Sequence, residues 1–325
     1  MKKKALITGI AGQDGSYLSE FLLKKNYKIF GILPRRSSPE LQTTRIDHLQ
    51  NKVNLMYGDI MDRSSIDETI KKIKPDEVYH LAAQSHVGVS FITPNLTSQI
   101  DYIGTLNMLE SFKNHSKNAK FYNASSSEMF GNFNGKINLN EDSAMHPASP
   151  YAVAKLGSYH LTKVYRESYN LFACSGILFN HESHRRGLNF VTAKIVKGAL
   201  DIKYKKKNKL ELGNLSSFRD WGHAEDYVRA MWMMLQLKKP DDFVIATGKT
   251  KKVKDVCDYV FKKLGLGSYK KYIKINKKFL RPNELHHLKG DYSKAKRILK
   301  WEPKYTFTKM LDEMIQNIEN RFFKN

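Results

Sequence analysis

Lys4-Ala5-Leu6-Ile7-Thr8-Gly9-Ile10-Ala11-Gly12-Gln13-Asp14-Gly15-Ser16-Tyr17-Leu18 is the stretch that decides the fold. Ala5 to Thr8 is a short apolar run of strand length, and Ser16 to Lys25 has the apolar spacing of an amphipathic helix. Between them Gly9, Gly12 and Gly15 form the pattern G-x-x-G-x-x-G, with Gln13 and Asp14 inside the same turn. Strand, glycine turn and helix in that order let the backbone approach a pyrophosphate, with the anion on the helix N-terminus. A ligand-free βα turn would carry the same glycines. Their place after a strand and before a helix favours a dinucleotide.

Outward from this unit the pattern repeats. Short buried runs stand at Lys28–Leu33, Val53–Tyr57, Glu77–Leu81, Lys120–Ala124 and Ala173–Phe179, alternating with amphipathic stretches such as Ser64–Ile73 and Thr97–Phe112. Near-continuously apolar strands alternating with helices predict an α/β fold, a Rossmann-type doubly wound parallel sheet. Such a sheet binds ligands at the carboxyl ends of its strands. After about residue 180 the pattern breaks into loops and Lys-rich segments, and Phe243–Ala246 reads as one more buried strand. The chain is predicted to revisit its sheet. Residues 1–180 plus about 222–248 would form the nucleotide-binding domain, and about 181–221 plus 249–325 a smaller, discontinuous substrate domain.

Strand two ends at Leu33 and is followed by Pro34-Arg35-Arg36. An acidic residue there would take the ribose 2′-hydroxyl of NAD, whereas Arg35 and Arg36 suit the 2′-phosphate of NADP. Two surface arginines are the plainer alternative in so basic a chain. Asp59 and Ile60, after strand three, would flank the adenine. Leu81, Ala82, Ala83 and Ser85, after strand four, would line the nicotinamide half.

Tyr151 and Lys155 stand four apart, so on a helix both side chains reach one site. The ammonium would lower the tyrosine pKa and let the phenol act as a base near neutral pH. Four other pairs share the spacing: Tyr159/Lys163, Tyr259/Lys263, Tyr292/Lys296 and Tyr305/Lys309. Pro147-Ala148-Ser149-Pro150 before Tyr151, and the fifth strand upstream, single it out. That strand runs into Ser125-Ser126-Ser127-Glu128, which offers a hydroxyl and a carboxylate at one strand end. A capped turn and a solvated glutamate are the bland readings of these residues, and the Tyr151/Lys155 pair weighs against them.

Composition excludes several classes. The chain has 325 residues, is 41% hydrophobic and contains no apolar run of membrane-span length. Its basic start imitates a leader peptide, but the apolar run ends at Gln13-Asp14 and reads better as a buried strand. Cys174 and Cys257 lack metal spacing, which argues against a zinc site and fits a reducing cytoplasm. The net charge is +23, but the lysines are spread along the whole chain with no aromatic-basic motif. A nucleic-acid partner is therefore not expected, and a small anionic ligand is.

The glycine turn and the Ser/Tyr/Lys set resemble the extended short-chain dehydrogenase/reductases. More specific stretches are T-G-x-x-G-Q-D-G-S-Y-L at 8–18, S-H-V at 85–87 and S-P-Y-A-V-A-K at 149–155. R-E-S-Y at 166–169, G-I-L-F-N-H-E-S at 176–183, R-R-G at 185–187, R-D-W-G-H at 219–223 and R-P-x-E at 281–284 extend the match. Together they resemble the GDP-mannose 4,6-dehydratase family over nearly the whole chain.

The resemblance implies C4 oxidation of a GDP-sugar with Tyr151 as base, C5 deprotonation by Glu128, loss of water from C6, and return of the stored hydride to C6. Ser126 matches the family's catalytic threonine. His181 and Arg186 would touch NADP, and Ser85, Asn180, Lys194, Arg219, Arg281 and Glu284 would contact the nucleotide sugar. The loops at Arg35-Arg36 and Arg185-Arg186 resemble those that build a tetramer around the cofactor, so a homodimer or homotetramer is expected. Three features depart from the pattern: His184 replaces a usual proline, Leu96 a usual tyrosine, and Gly265 to Arg281 is lysine-rich. A GDP-heptose dehydratase, and a reductase or epimerase of the same superfamily, are the competing enzymes. A non-catalytic NADP sensor is the competing class. Glu128 beside Ser126 separates the dehydratase from a reductase, which needs no C5 base.

Overall fold

The computed structural model describes residues 2–34, 45–132 and 138–324. The strands are β1 (Lys4–Thr8), β2 (Lys28–Leu33), β3 (Asn54–Tyr57), β4 (Glu77–His80), β5 (Lys120–Ser126), β6 (Phe172–Leu178), β7 (Asn180–Glu182), β8 (Leu210–Leu212), β9 (Phe218–His223), β10 (Phe243–Ile245), β11 (Thr250–Lys252) and β12 (Ile273–Ile275). The helices are α1 (Gln13–Lys24), α2 (Arg63–Ile73), α3 (Val87–Ser90), α4 (Pro94–Ser98), α5 (Gly104–His115), α6 (Pro150–Tyr169), α7 (Val191–Lys203), α8 (Ala224–Leu235), α9 (Val253–Lys263) and α10 (Phe307–Phe323).

Seven strands form one sheet in the order β10-β6-β5-β4-β1-β2-β3. Every pairing in it is parallel. The strands are apolar on both faces because both faces are covered. Ala5 and Ile7 of β1 pack with α1 and α8, while the intervening Leu6 packs with α2 and α5. Leu6 and Ile7 are fully buried, each contributing about 1.5–3 kcal/mol of transfer free energy. The strand order reverses between β1 and β4, which opens a crevice at their carboxyl ends. Phe243–Ile245 does return to the sheet edge beside β6, as the sequence predicts.

The reading of the later chain as loops and Lys-rich segments is corrected: α7, α9 and α10 form a second helical core there. In α9 the buried Val253, Val256, Cys257, Val260 and Phe261 follow the helical period. The lysines between them occupy the other face, so composition masked the periodicity. Strand β5 also runs further than its apolar stretch suggests. Ser125 and Ser126 pair with Ile177 and Leu178, which carries polar side chains to the end of the sheet.

Candidate active site

The glycine turn leaves β1 through Gly9, whose φ of +70° lies in the left-handed region. A Cβ on Gly15 would stand 2.4 Å from Gly9 O and 2.6 Å from Ile10 Cα, so only glycine lets α1 start against the turn. The N-cap Gly12 supplies no side-chain cap, leaving the first backbone N–H groups of α1 to face an anion.

One cleft of about 1330 Å³ opens at the crevice between β1 and β4. It is lined by Gly9, Gly12, Gln13, Asp14, Gly15, Asp59, Ile60, Leu81, Ala82, Ala83 and Ser85 on the expected cofactor side. Ser126, Glu128, Tyr151, Lys155, Asn180, His181, Arg186, Lys194, Arg219, Arg281 and Glu284 line it as well. Arg35 and Arg36 lie outside the described residues. None of the tyrosines of the four competing Y-x-x-x-K pairs lines this cleft.

Tyr151 begins α6, where Ser149 caps the helix by accepting the Ala152 N–H at 3.1 Å. The phenol is buried. Burial, then the charge of Asp101, push its pKa above the ordinary value, against a hydrogen bond from Ser126. The expected lowering of the tyrosine by Lys155 is therefore corrected. The Lys155 ammonium lies 6.0 Å from the Tyr151 ring centroid and donates to Ala124 O at 3.0 Å. Burial lowers the Lys155 pKa, and Asp101 opposes that shift.

Ser126 accepts the Glu128 N–H at 3.2 Å, so it also caps the turn Ser127–Phe130 that presents Glu128. The Glu128 carboxylate is buried and meets Arg281 Nη1 at 3.3 and 3.5 Å. Arg219 is buried and stands 3.9 Å from Glu284, which lies 3.9 Å from Arg281. Two guanidiniums thus converge beside the carboxylate, a pattern suited to an anionic substrate.

At the other wall, His181 Nδ1 donates to Phe179 O and Nε2 to Asp14 Oδ2, both at 2.8 Å. Burial alone would lower His181, but the charge and hydrogen bond of Asp14, with the hydrogen bond to Phe179 O, together outweigh it and the imidazole is raised. Burial likewise pushes Asp14 up, and the His181 charge and hydrogen bond bring it below the usual carboxylate range.

The sequence model of the GDP-mannose 4,6 dehydratase family matches residues 6–314. The chain belongs to that family. It is 48% identical to a GDP-mannose 4,6 dehydratase of Arabidopsis thaliana, over 97% of this chain and 89% of that protein. It is 46% identical to the GDP-mannose 4,6 dehydratase of Drosophila melanogaster, over 97% of this chain and 85% of that one. Among solved structures it resembles UDP-glucuronic acid 4-epimerase from Bacillus cereus, in complex with UDP-glucuronic acid and NAD. There the TM-score is 0.84 at 26% identity, covering 98% of this chain and 100% of that chain.

Within the GDP-mannose 4,6-dehydratase pattern, the departures now have places. Leu96 lines the cleft. His184 Nδ1 hydrogen-bonds Glu313 of α10. The lysine-rich segment reaches the cleft through Lys278 and Phe279, with the Lys194 ammonium 3.3 Å from the Phe279 ring centroid. Sequence reading missed Arg45, which enters the cleft and donates to Arg185 O at 2.7 Å. It also missed Asp101, buried in the helix opposite Tyr151 and Lys155. The only signal for Asp101 was a carboxylate on the apolar face of an amphipathic stretch.

Proposed function

We propose that this chain is a 4,6-dehydratase of GDP-mannose, forming GDP-4-keto-6-deoxymannose with NADP retained in the cleft. The observation that carries the reading is the Glu128 carboxylate standing in one cleft with Ser126, Tyr151 and Lys155. The dinucleotide fits the Gly9–Gly15 cradle and the free N-terminus of α1. When bound, it supplies the acceptor for the C4 hydrogen and returns that hydrogen to C6.

The protein's own groups handle protons. Tyr151, with Lys155 behind it, takes the 4-hydroxyl proton, and the Ser126 hydroxyl holds the same oxygen. Glu128 removes the C5 proton, acidified by the new ketone, and delivers a proton to the departing C6 hydroxyl, which leaves as water. C5 is then reprotonated, so no net oxidation remains. Arg281 and Arg219 hold the diphosphate end, Glu284 beside them accepts from a hydroxyl of the nucleotide sugar, Asn180 and Lys194 lie nearer the nucleoside, and Ser85 lies at the sugar. Residues 1–180 plus about 222–248 serve the cofactor, and about 181–221 plus 249–325 the nucleotide sugar.

NADP is favoured over NAD by Arg35 and Arg36, which no acidic residue separates from Leu33, and by Arg45 beside Arg186. Among the described residues no helix is long and apolar enough to cross a membrane, and Cys174 and Cys257 are free buried thiols. Both facts support a cytoplasmic enzyme. We infer a homodimer or homotetramer.

Changing Glu128 to Gln keeps size and polarity but removes the base. C4 oxidation should survive while C5 deprotonation slows by roughly 10²–10⁴-fold. With GDP-mannose the variant should accumulate reduced-cofactor absorbance, and the wild-type product made in deuterium oxide should carry deuterium at C5. Full turnover by Glu128→Gln, or a wild-type product without deuterium at C5, would return the chain to the reductases.

A further inference from the structure

The fold gathers lysines that the sequence scatters. Residues 203–212 and 268–280 hold ten lysines and one acidic residue, Glu211. The parallel pair β8 and β12 brings the two segments together, with Lys274 opposite Glu211. Where the pair begins, Lys209 Nζ donates to Lys271 O at 2.6 Å. Where it ends, the Asn276 N–H donates to Leu212 O at 2.8 Å. Each strand has three residues, so the pair spans roughly 10 Å. Both strands run toward the cleft. Leu212 and Gly213 line it at the end of β8, and Lys278 and Phe279 line it just after β12. The lysines thus form a strip that starts away from the cleft and ends at its mouth, where the Lys194 ammonium lies over the Phe279 ring.

Little neutralises this strip. Glu319 meets Lys203 at 2.7 Å, Asp201 meets Lys207 at 3.6 Å, and Glu211 meets Lys274 at 3.8 Å. Lys205, Lys206, Lys209, Lys270, Lys271 and Lys277 are exposed and have no ion-pair partner among the described residues. A solubilising coat mixes both signs of charge. A strip of one sign at the edge of a cleft instead focuses its field there and raises the local concentration of the opposite charge. The Debye length is about 10 Å at 0.1 M salt, close to the length of the strip, so its charges add at the mouth in dilute salt.

We propose that this strip is an electrostatic guide, which speeds the entry of a dianionic sugar diphosphate into the cleft and takes no part in the chemistry. The inference rests on the GDP-sugar reading above. Inside the cleft Arg219 and Arg281 hold the diphosphate once it has arrived. The six unpaired lysines do not line the cleft, so they act on arrival and not on departure.

The test is stopped-flow association of N-methylanthraniloyl-GDP with the cofactor-loaded protein. Replacing the six lysines by Gln should lower the association rate roughly tenfold in dilute salt and leave the dissociation rate and kcat unchanged. The difference should close near 0.5 M salt, where the Debye length is roughly 4 Å. Replacement by Arg keeps the charge and should keep the rate. N-methylanthraniloyl-guanosine, which has no phosphate, should bind both proteins alike. A second variant removes as much charge elsewhere, with Gln at Lys2, Lys24, Lys25, Lys71, Lys72 and Lys117, and should associate like wild type. An equal loss in that variant, an unchanged rate in the strip variant, or a loss carried by dissociation overturns the proposal. Failure of wild type to bind the GDP probe counts against the GDP-sugar reading instead.

Discussion

Arg45 shows what a single residue contributes when the fold, not its neighbours in sequence, places it. Its guanidinium is half-buried, donates to Arg185 O at 2.7 Å and to Ala11 O at 3.4 Å, and faces no carboxylate in those contacts. Burial, then the charges of Arg321 and Arg186, lower its pKa, so it stands in an electropositive corner at the cofactor end of the cleft. A 2′-phosphate would offset that repulsion. Arg45→Ala should therefore weaken NADP binding by roughly 1.5–3 kcal/mol, about tenfold to a hundredfold, and leave NAD nearly unchanged. Calorimetry on the cofactor-stripped protein measures both, and equal losses would make Arg45 a prop for the loop of Arg185. The sequence pointed instead to Arg35 and Arg36, because adjacency to a strand end is a local signal. Arg45 reaches the cleft only through tertiary folding. Tyr151 and Lys155 were legible for the opposite reason: spacing, cap and upstream strand are all local. The direction of the tyrosine shift was not, since burial of the phenol, and after it the charge of Asp101 from another segment, are set by tertiary packing.

Helices carry the next level of information, and here exposure matters as much as burial. On α6, Val153 and Val164 are 57% and 50% exposed. Eleven positions at 3.6 residues per turn bring them within roughly 20° of one face. Ile92 and Leu96, at 79% and 46% exposed, stand on a neighbouring segment at the rim of the cleft. Stretches of this kind on a globular protein mark contact surfaces. The double variant Val153→Asp, Val164→Asp should convert the proposed oligomer into smaller species, read by light scattering at micromolar concentration. An unchanged mass would place the contact elsewhere. The same scale explains the uneven legibility of the fold. The strands β1 to β6 announced themselves through runs of buried residues, and the return of Phe243–Ile245 to the sheet was visible as one more such run. Helices α7 and α9 were hidden because lysines fill their solvent faces, and α10 because mixed polar residues such as Lys309, Gln316, Asn320 and Arg321 fill its own. Their apolar residues obey the period only when counted at three and four.

At the scale of the whole molecule, the C-terminal helix is tied to the cofactor side of the chain through one carboxylate. Glu313 of α10 hydrogen-bonds His184, meets His223 at the end of β9, and accepts from Tyr17 of α1 at 3.4 Å. His223 in turn stacks on Tyr305, with ring centroids 3.9 Å apart. Burial would push Glu313 up, but the hydrogen bonds and charges of His184 and His223 outweigh it and bring the group from 4.5 to about 2. A carboxylate whose pKa is depressed on folding stabilises the protein above its unfolded value and loses that contribution as pH falls through the folded one. The shift corresponds to roughly 3 kcal/mol, and screening at a partly exposed site reduces this to about 2 kcal/mol. Glu313→Gln should therefore cost about 2 kcal/mol in urea unfolding near pH 5. The gap between variant and wild type should hold down to about pH 4.5 and close as pH falls toward 2. Other carboxylates titrate over the same range in both proteins, so the difference between the two curves isolates Glu313. A gap that persists at low pH would mean that packing, not charge, joins α10 to the rest of the chain. His184 stands where the family usually has proline, so His184→Pro should remove one of the two imidazole partners and reproduce part of the same pH-dependent loss.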